Sequence, residues 1–292
     1  KIKIFKERYN KAYDIRSKYE VYKNKKPEYI LNITPSFYLD KNNSFFPLSG
    51  ISNSKIINCN ENGYYSEFES DEYGFNNFLK KWPTKIDYFL IGDSFLNGSC
   101  VNEKDTFTYN LLNNFNFKKK IINVGMAGNG PLIEYASYKE FSKKRKIKNL
   151  ILFYYEGNDM GNFYKELKNP LLRKYFDNEK FSQNLIEKQN FVDQLHQKTF
   201  FEKENSFQTV HHNIEGGNKS LKNLLKFTNL RSLLNNFLFK HQGIFLESEF
   251  NELIIKLKEN TKINDIKLYF VYIPEYYRFK EKNFQNEKYF YY

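Results

Sequence analysis

From Ile86 onward, short apolar runs alternate with amphipathic stretches along the chain. Four runs are four to eight residues long, rich in β-branched and aromatic residues and mostly apolar on both faces: IDYFLIG (86–92), KIINVGM (120–126), NLILFYYE (149–156) and KLYFVYIP (267–274). Strands that are apolar on both faces are typical of parallel sheets, because helices cover both sides of such sheets. The pattern therefore predicts a parallel sheet that begins near residue 86.

Helix-like stretches fill the intervals between these runs. The candidates are DTFTYNLLNNF from Asp105, GPLIEYASYKEFSKK from Gly130, in which Pro131 suits a first helical turn, and ESEFNELIIKLKENT (247–261). Strand and helix in rotation predict a doubly wound α/β fold. The interval of about 162–242 is too long for one crossover helix, so we expect a helical insertion packed over the sheet.

The first 80 residues have a different pattern. They are polar and aromatic with little sustained periodicity, and they are punctuated by Pro27, Pro35, Pro47 and Gly50. We expect residues 1–80 to form an irregular, extended arm or cap outside the core. Residues 81–292 are expected to form the α/β domain.

Composition and charge narrow the class of protein. A chain with 40% apolar residues and 19% aromatics is globular rather than disordered. Its 46 basic and 34 acidic residues give a net charge of +12, which raises the question of a nucleic-acid partner. Only six of the basic residues are arginine, the residue that phosphate and base recognition prefers. We therefore expect no nucleic-acid partner.

The two cysteines and four histidines bear on metals and redox chemistry. Cys59 and Cys100 match no zinc spacing, and the histidines show no ligand spacing, so we expect no metal and no cofactor. The cysteines are either free thiols or one disulfide between the N-terminal segment and the loop near residue 100. A disulfide would require an oxidising compartment.

Polar clusters follow the first three predicted strands. They are GDS (92–94), NVGMAGNG (123–130) and EGND (156–159). Ligands of open parallel sheets bind at the carboxyl ends of the strands, which is where these clusters are expected to lie. Ser94 is therefore expected at a sheet edge that a substrate can reach.

These clusters resemble blocks I, II and III of the SGNH or GDSL hydrolases, in the same order and each behind a strand. The stretches NCNENGYYSEFESDEYGFNN (58–77) and GNGPLIEYA (128–136) resemble a bacterial subgroup with an N-terminal extension, so the resemblance covers nearly the whole chain. It implies a flavodoxin-like α/β/α sandwich and the chemistry of a serine esterase.

The resemblance also implies a nucleophile and an oxyanion hole. Ser94 would attack an ester carbonyl, and the oxyanion would be held by the backbone N–H groups of Ser94 and Gly128 and the side-chain amide of Asn158. Gly128 follows Asn123 by five residues, as the family's block II glycine follows its asparagine, and Gly125 is the alternative.

Structural roles compete with each of these assignments. Ser94 and Asn158 could cap helices, and the block II glycines could form only a tight turn. Asp93 and Asp159 are expected to be structural hydrogen-bond acceptors rather than catalysts.

The family's general base, an Asp-x-x-His pair after the last strand, has no counterpart after Ile273. The pair Asp193 and His196 in DQLH has the right spacing but precedes the last strand and lies in an amphipathic pattern. We expect a surface or cap position for it, with a catalytic His196 as the alternative. The other histidines are expected in a loop (His211 and His212) and at a helix C-terminus (His241).

The chain begins with Lys1 and stops at EKYFYY, shortly after a strand-like run. We expect a fragment cut at both ends, with an incomplete C-terminal part of the fold and the base beyond it. These 292 residues alone are then expected to be nearly inactive. An extracytoplasmic or membrane-anchored location is favoured, with any membrane contact made by a segment outside this chain.

The leading functional hypothesis is a serine esterase that removes a small acyl group, such as acetyl, from a carbohydrate or another cell-surface ester. An O-acyltransferase of the same fold is the alternative among enzymes. A non-catalytic carbohydrate-binding or scaffold protein is the alternative from another class. The substrate class rests on the family resemblance alone.

Overall fold

The computed structural model describes residues 2–41, 44–214, 228–276 and 279. The strands are β1 (Tyr29–Leu31), β2 (Lys55–Ile57), β3 (Glu67–Glu69), β4 (Lys85–Ile91), β5 (Ile121–Asn123), β6 (Lys146–Tyr155) and β7 (Lys267–Ile273). The α-helices are α1 (Ile2–Tyr9), α2 (Lys18–Lys25), α3 (Ser94–Asn97), α4 (Phe107–Asn114), α5 (Pro131–Phe141), α6 (Asp159–Leu167), α7 (Pro170–Asp177), α8 (Gln189–Ile214) and α9 (Thr228–Ile263).

Strands β4 to β7 form one sheet in the order β5–β4–β6–β7, and every neighbouring pair is parallel. The predicted mixed α/β architecture with a parallel sheet is therefore confirmed. In the ladder, Leu90 pairs with Asn123 and Ile91 with Leu152, so the carboxyl ends of β4, β5 and β6 meet at one edge of the sheet. The three predicted polar clusters all start from this edge.

Apolar side chains are buried on both faces of this sheet. Phe89 and Leu90 are adjacent on β4 and fully buried, yet they belong to two different apolar clusters. Alternate strand residues point to opposite faces, so one cluster lies on the α5 side and a smaller one on the α4 side. Each buried side chain of this size contributes about 1.5–3 kcal/mol to folding.

Strand β7 differs from its predicted environment. Its sequence predicts burial on both faces, but Tyr269, Phe270 and Tyr272 are all exposed. β7 pairs with β6 along one edge and is the last strand of the described sheet on that side.

The N-terminal segment also differs from the expectation that it lies outside the core. Strands β1 to β3 form a small sheet, in which β1 and β2 are parallel and β3 is antiparallel. Buried residues of the N-terminal segment share one apolar cluster with β4 and α5. They include Tyr19, Val21, Tyr22, Tyr38, Phe46, Leu48, Ile57 and Phe75. Most of these buried residues lie outside the three short strands, in α2 and in turns and loops that carry little periodicity, so the sequence did not indicate their burial.

Helices make up most of the predicted insertion in its described residues, namely α6, α7, α8 and the start of α9. Residues 215–227 of the predicted insertion lie outside the described residues, and the stretch that follows them joins the candidate at 247–261 in the single helix α9. His211 and His212 lie within α8 rather than a loop, and His241 lies inside α9 rather than at its end, so these three predictions are wrong.

Cys59 and Cys100 form a disulfide, which settles the choice left open by the sequence. The bridge joins the segment after β2 to the loop after α3. Among the described helices, none combines the length and apolarity needed to cross a membrane.

Candidate active site

Ser94 is the first residue of α3 and lies just beyond the carboxyl end of β4. Asp93 is the N-cap of this short helix, because its carboxylate accepts a hydrogen bond from the Phe95 N–H at 2.9 Å. The Ser94 hydroxyl is half-buried and donates to Asp93 Oδ2 at 3.3 Å. The helix ends at Gly98, which takes a positive φ of 73°. Asp93, and not Ser94, therefore caps α3.

The loop after β5 is fastened to α3 by two asparagines. Asn123 donates its side-chain N–H to the Leu96 carbonyl at 2.6 Å, and Asn97 donates to the Gly125 carbonyl at 3.1 Å. The oxygen of the Asn123 side chain accepts from the Gly125 N–H at 2.7 Å. The Gly125 N–H is thus already engaged, which favours Gly128 over Gly125 as a donor to a substrate.

Gly128 has a φ of +82°, a conformation that favours glycine. A Cβ placed on it would lie 2.6 Å from the hydroxyl oxygen of Ser36, a residue of the N-terminal segment. The backbone at Gly128 is half-buried and in close contact with that segment. Glycine is therefore required here for both its conformation and its size.

Asn158 precedes α6 at the carboxyl end of β6, and its side chain makes no capping hydrogen bond. The capping alternative for Asn158 is therefore wrong. Its side chain instead faces Asp93. Burial raises the pKa of Asp93, while hydrogen bonds from Phe95, Ser94 and the Asn158 side chain act in the opposite direction. Ser94 and Asn158 are thus brought together around the same carboxylate.

The block II loop is also tied to α6, the helix that follows Asn158. The Asn162 side chain donates to the Asn129 carbonyl at 3.3 Å, and the Gly130 N–H donates to the Glu166 carboxylate at 2.5 Å. The three predicted blocks therefore form one hydrogen-bonded unit at the carboxyl edge of the sheet.

Four carboxyl groups in and next to this unit are buried: Asp93, Glu134, Asp159 and Glu166. Glu166 accepts from three backbone N–H groups, of Gly130, Leu132 and Ile133. Burial raises its pKa to about 7 in spite of these bonds. Asp159 accepts from the Tyr155 N–H at 2.6 Å, as its expected role as a structural acceptor requires.

Burial, and then the nearby charge of Asp93, raises the pKa of Asp159 to about 9. Asp159 is therefore protonated at neutral pH. Burial, and then the nearby carboxyl groups of Asp159, Asp93 and Glu166, raise the pKa of Glu134 well above its usual range. Neither oxygen of the Glu134 carboxylate has a hydrogen-bond partner. Sequence reasoning missed Glu134 and Glu166, although a glutamate within the apolar start of α5 was a usable signal.

His196 lies away from this unit, and it is fully buried rather than at the surface. Its Nε2 lies 2.7 Å from the Ser49 carbonyl, and its Nδ1 lies 3.0 Å from the Tyr38 hydroxyl. The Asp193 carboxylate accepts from the backbone N–H and the hydroxyl of Ser52. His196 and Asp193 of DQLH thus make two separate structural contacts.

An aromatic pair stands at the rim of the site. Phe95, directly after the candidate nucleophile, is 52% exposed, and its ring centroid lies 4.4 Å from that of Tyr155. Tyr155 precedes the EGND cluster that contains Asn158. The approach to Ser94 therefore has an exposed aromatic face.

Comparison with known proteins gave no assignment. No protein-family model matches the chain, and neither the curated proteins nor the solved structures contain a match. Among the described residues, no group of three or more His, Cys, Asp or Glu side chains is arranged to hold a metal ion.

Proposed function

We propose that this chain carries the nucleophile and oxyanion hole of an SGNH-type serine esterase that hydrolyses a small acyl ester, such as an O-acetyl group on a carbohydrate. The observation that carries the proposal is the meeting of Ser94 and Asn158 around Asp93, at the edge where the strands β4, β5 and β6 end. The acetyl group and the carbohydrate come from the family resemblance.

The proposed roles follow from the chemistry of the groups. The Ser94 oxygen attacks the ester carbonyl carbon while a base takes its proton, and the carbonyl π electrons move onto the oxygen. The N–H groups of Ser94 and Gly128 and the Asn158 amide hold that oxyanion, each donor lowering the barrier by about 3–4 kcal/mol. Collapse expels the alcohol, which takes up the proton. Water then releases the acid from the acyl-enzyme by the same steps.

The exposed rim favours hydrolysis over acyl transfer. A transferase must exclude water from its acyl-enzyme, which calls for a sealed, apolar approach to the serine. Here Ser94 is half-buried and the neighbouring Phe95 is 52% exposed. Water can therefore reach an acyl group on Ser94.

No histidine contacts Ser94 in the described part of the site, where the Ser94 hydroxyl donates to Asp93. His196 is buried and its ring nitrogens contact Ser49 and Tyr38. The Asp193 carboxylate is hydrogen-bonded to Ser52. The side chains of the other three histidines lie outside the described residues. The family resemblance places the base on an Asp-x-x-His segment after the last strand, and no histidine follows β7 in this sequence.

Chemical rescue tests the proposal on the chain as it exists. Imidazole is a diffusible base of the same type as a histidine side chain. We expect it to raise p-nitrophenyl acetate turnover by the wild type at least about tenfold over the Ser94→Ala variant at the same imidazole concentration. Turnover with the variant measures the direct reaction of imidazole with the ester, and this rate is subtracted from that of the wild type. A fluorophosphonate probe should label Ser94 under the same conditions.

Two outcomes would overturn the proposal. Equal turnover by the wild type and Ser94→Ala, together with no labelling of Ser94, would indicate a non-catalytic binding or scaffold protein. Strong turnover that needs no imidazole but is lost in His196→Gln would return His196 to the role of base.

A further inference from the structure

Asn77 belongs to the N-terminal segment, is 1% exposed, and reaches the edge of the large sheet at β5. Its side-chain oxygen accepts from the Asn123 N–H at 2.8 Å, and its side-chain N–H donates to the Asn123 carbonyl at 2.8 Å. β5 is the outermost strand on this side of the sheet as the described residues form it. The amide of Asn77 therefore makes the pair of hydrogen bonds that a further strand would make.

The Asn77 side chain is itself fixed in orientation. It also donates to the Asp71 carboxylate at 2.8 Å. Asp71 is fully buried and accepts from the N–H groups of Tyr73 and Phe75 and from the indole of Trp82. The oxygen and the N–H groups of the Asn77 side chain each face a matching partner. The amide therefore cannot rotate without losing several of these hydrogen bonds.

Asn123 connects Asn77 to the proposed site through hydrogen bonds. Its backbone is held by Asn77, while its side chain bonds the Leu96 carbonyl in α3, the Thr108 hydroxyl and the Gly125 N–H. One residue thus locates both the helix that begins at Ser94 and the loop that contains Gly128. A displacement of the Asn123 backbone would move both relative to each other.

We propose that Asn77 is a positioning residue for the reaction at Ser94, so that the N-terminal segment is a working part of the site. The inference rests on the proposed esterase function. Asn77 touches neither Ser94 nor Gly128 in any described contact and acts through Asn123. Misplacement of reacting groups by about 1 Å can cost about 100-fold in rate, so the loss of this pair of bonds should be measurable.

Gln183 offers a matched control. Its side-chain oxygen accepts from the Phe46 N–H at 2.8 Å, and its side-chain N–H donates to the Phe46 carbonyl at 3.0 Å. It is 8% exposed, and its further hydrogen bond goes to Tyr175 rather than to the site. Asn77→Ala and Gln183→Ala therefore remove the same kind of bidentate bond, one beside the site and one away from it.

The experiment compares thermal stability with Ser94 reactivity in the two variants. We expect similar decreases in Tm, because each leaves a buried N–H and C=O unpaired. Fluorophosphonate labelling of Ser94 is measured with imidazole present, well below either Tm. The labelling rate should fall about 10- to 100-fold in Asn77→Ala and less than about twofold in Gln183→Ala.

Hydrogen exchange provides a readout that does not depend on the reaction. The amides of residues 94–97 and 123–130 should exchange faster in Asn77→Ala and be unchanged in Gln183→Ala. Equal labelling rates in the wild type and Asn77→Ala would overturn this inference alone. A wild type that is not labelled at all would overturn the proposed function and this inference with it.

Discussion

His196 donates its Nε2 hydrogen to the carbonyl oxygen of Ser49 across 2.7 Å, and the two residues are 147 positions apart in sequence. A carbonyl oxygen can only accept, so Nε2 carries the hydrogen, and Nδ1 lies 3.0 Å from the Tyr38 hydroxyl. Burial lowers the pKa of His196 to about 4. The ring is therefore neutral at pH 7 and joins α8 to the N-terminal segment.

This buried ring predicts a loss of stability in acid. Between its unfolded pKa of about 6.5 and its folded pKa of about 4, the unfolded chain binds a proton that the folded chain does not. Stability contributed by this group therefore falls as the pH falls through that range, by up to about 1.4 kcal/mol per pH unit. In His196→Gln, urea unfolding at pH 4.5 and pH 7 should show a smaller difference than in the wild type.

The same variant should be less stable than the wild type at pH 7, by about 1–3 kcal/mol, because buried hydrogen bonds are lost. An unchanged difference between the two pH values would mean that His196 is already charged in the folded state.

The DQLH segment illustrates what a sequence pattern can and cannot predict. The apolar spacing around it predicted a helix, and α8 covers it. The pattern did not indicate that His196 faces inward, because its partners Ser49 and Tyr38 are supplied by distant segments without periodicity. Long-range pairing of buried polar groups is decided by tertiary packing, which local spacing does not record.

The buried carboxyl groups predict the opposite pH dependence. The folded chain keeps a proton on Asp159 up to about pH 9, whereas the unfolded chain releases it near pH 3.8. Stability contributed by this group is therefore full below that lower value and is lost as the pH rises toward 9. Asp159→Asn keeps an oxygen that can accept from the Tyr155 N–H, and it should flatten the decline in the free energy of unfolding between pH 6 and pH 9.

The matched control is Asp177→Asn, since Asp177 is an exposed carboxylate paired with Arg173. It should leave the alkaline decline unchanged. A wild type whose stability is flat between pH 6 and pH 9, or an Asp159→Asn variant as steep as the wild type, would contradict the prediction that Asp159 is protonated.

The disulfide predicts a redox-dependent stability. It closes a loop with a sequence separation of 41 between Cys59 and Cys100, next to the helix that carries Ser94. Closing a loop of this size stabilises the folded state by about 2–4 kcal/mol, mainly by restricting the unfolded chain. The wild type should lose several degrees of Tm when a reductant is added. The double variant Cys59→Ser/Cys100→Ser should melt at the reduced value with or without reductant, and equal melting of all samples would refute the bond.

The site residues that the sequence predicted were found through one shared feature, their position after a buried strand. Ser94, Gly128 and Asn158 each follow a strand buried on both faces, and such strands are recognisable from composition alone. Glu134 and Asn77 were missed because each is a polar residue whose burial depends on partners in another segment. The preference for Gly128 over Gly125 gained its physical reason only when the Gly125 N–H was found bonded to Asn123.

Two asparagines at helix N-caps allow the proposed catalytic role of Asn158 to be tested against a structural one. Asn169 precedes α7, and its side-chain oxygen accepts from the N–H groups of Leu171 and Leu172, whereas Asn158 makes no such bond to α6. Asn169→Ala should therefore cost about 1 kcal/mol of stability and leave Ser94-dependent turnover unchanged. Asn158→Ala should lower kcat in imidazole about 100- to 1,000-fold, with little change in KM, because an oxyanion donor acts mainly in the transition state. If Asn158→Ala loses stability as Asn169→Ala does and keeps its turnover, Asn158 is a structural residue and the oxyanion must be held by the backbone of Ser94 and Gly128.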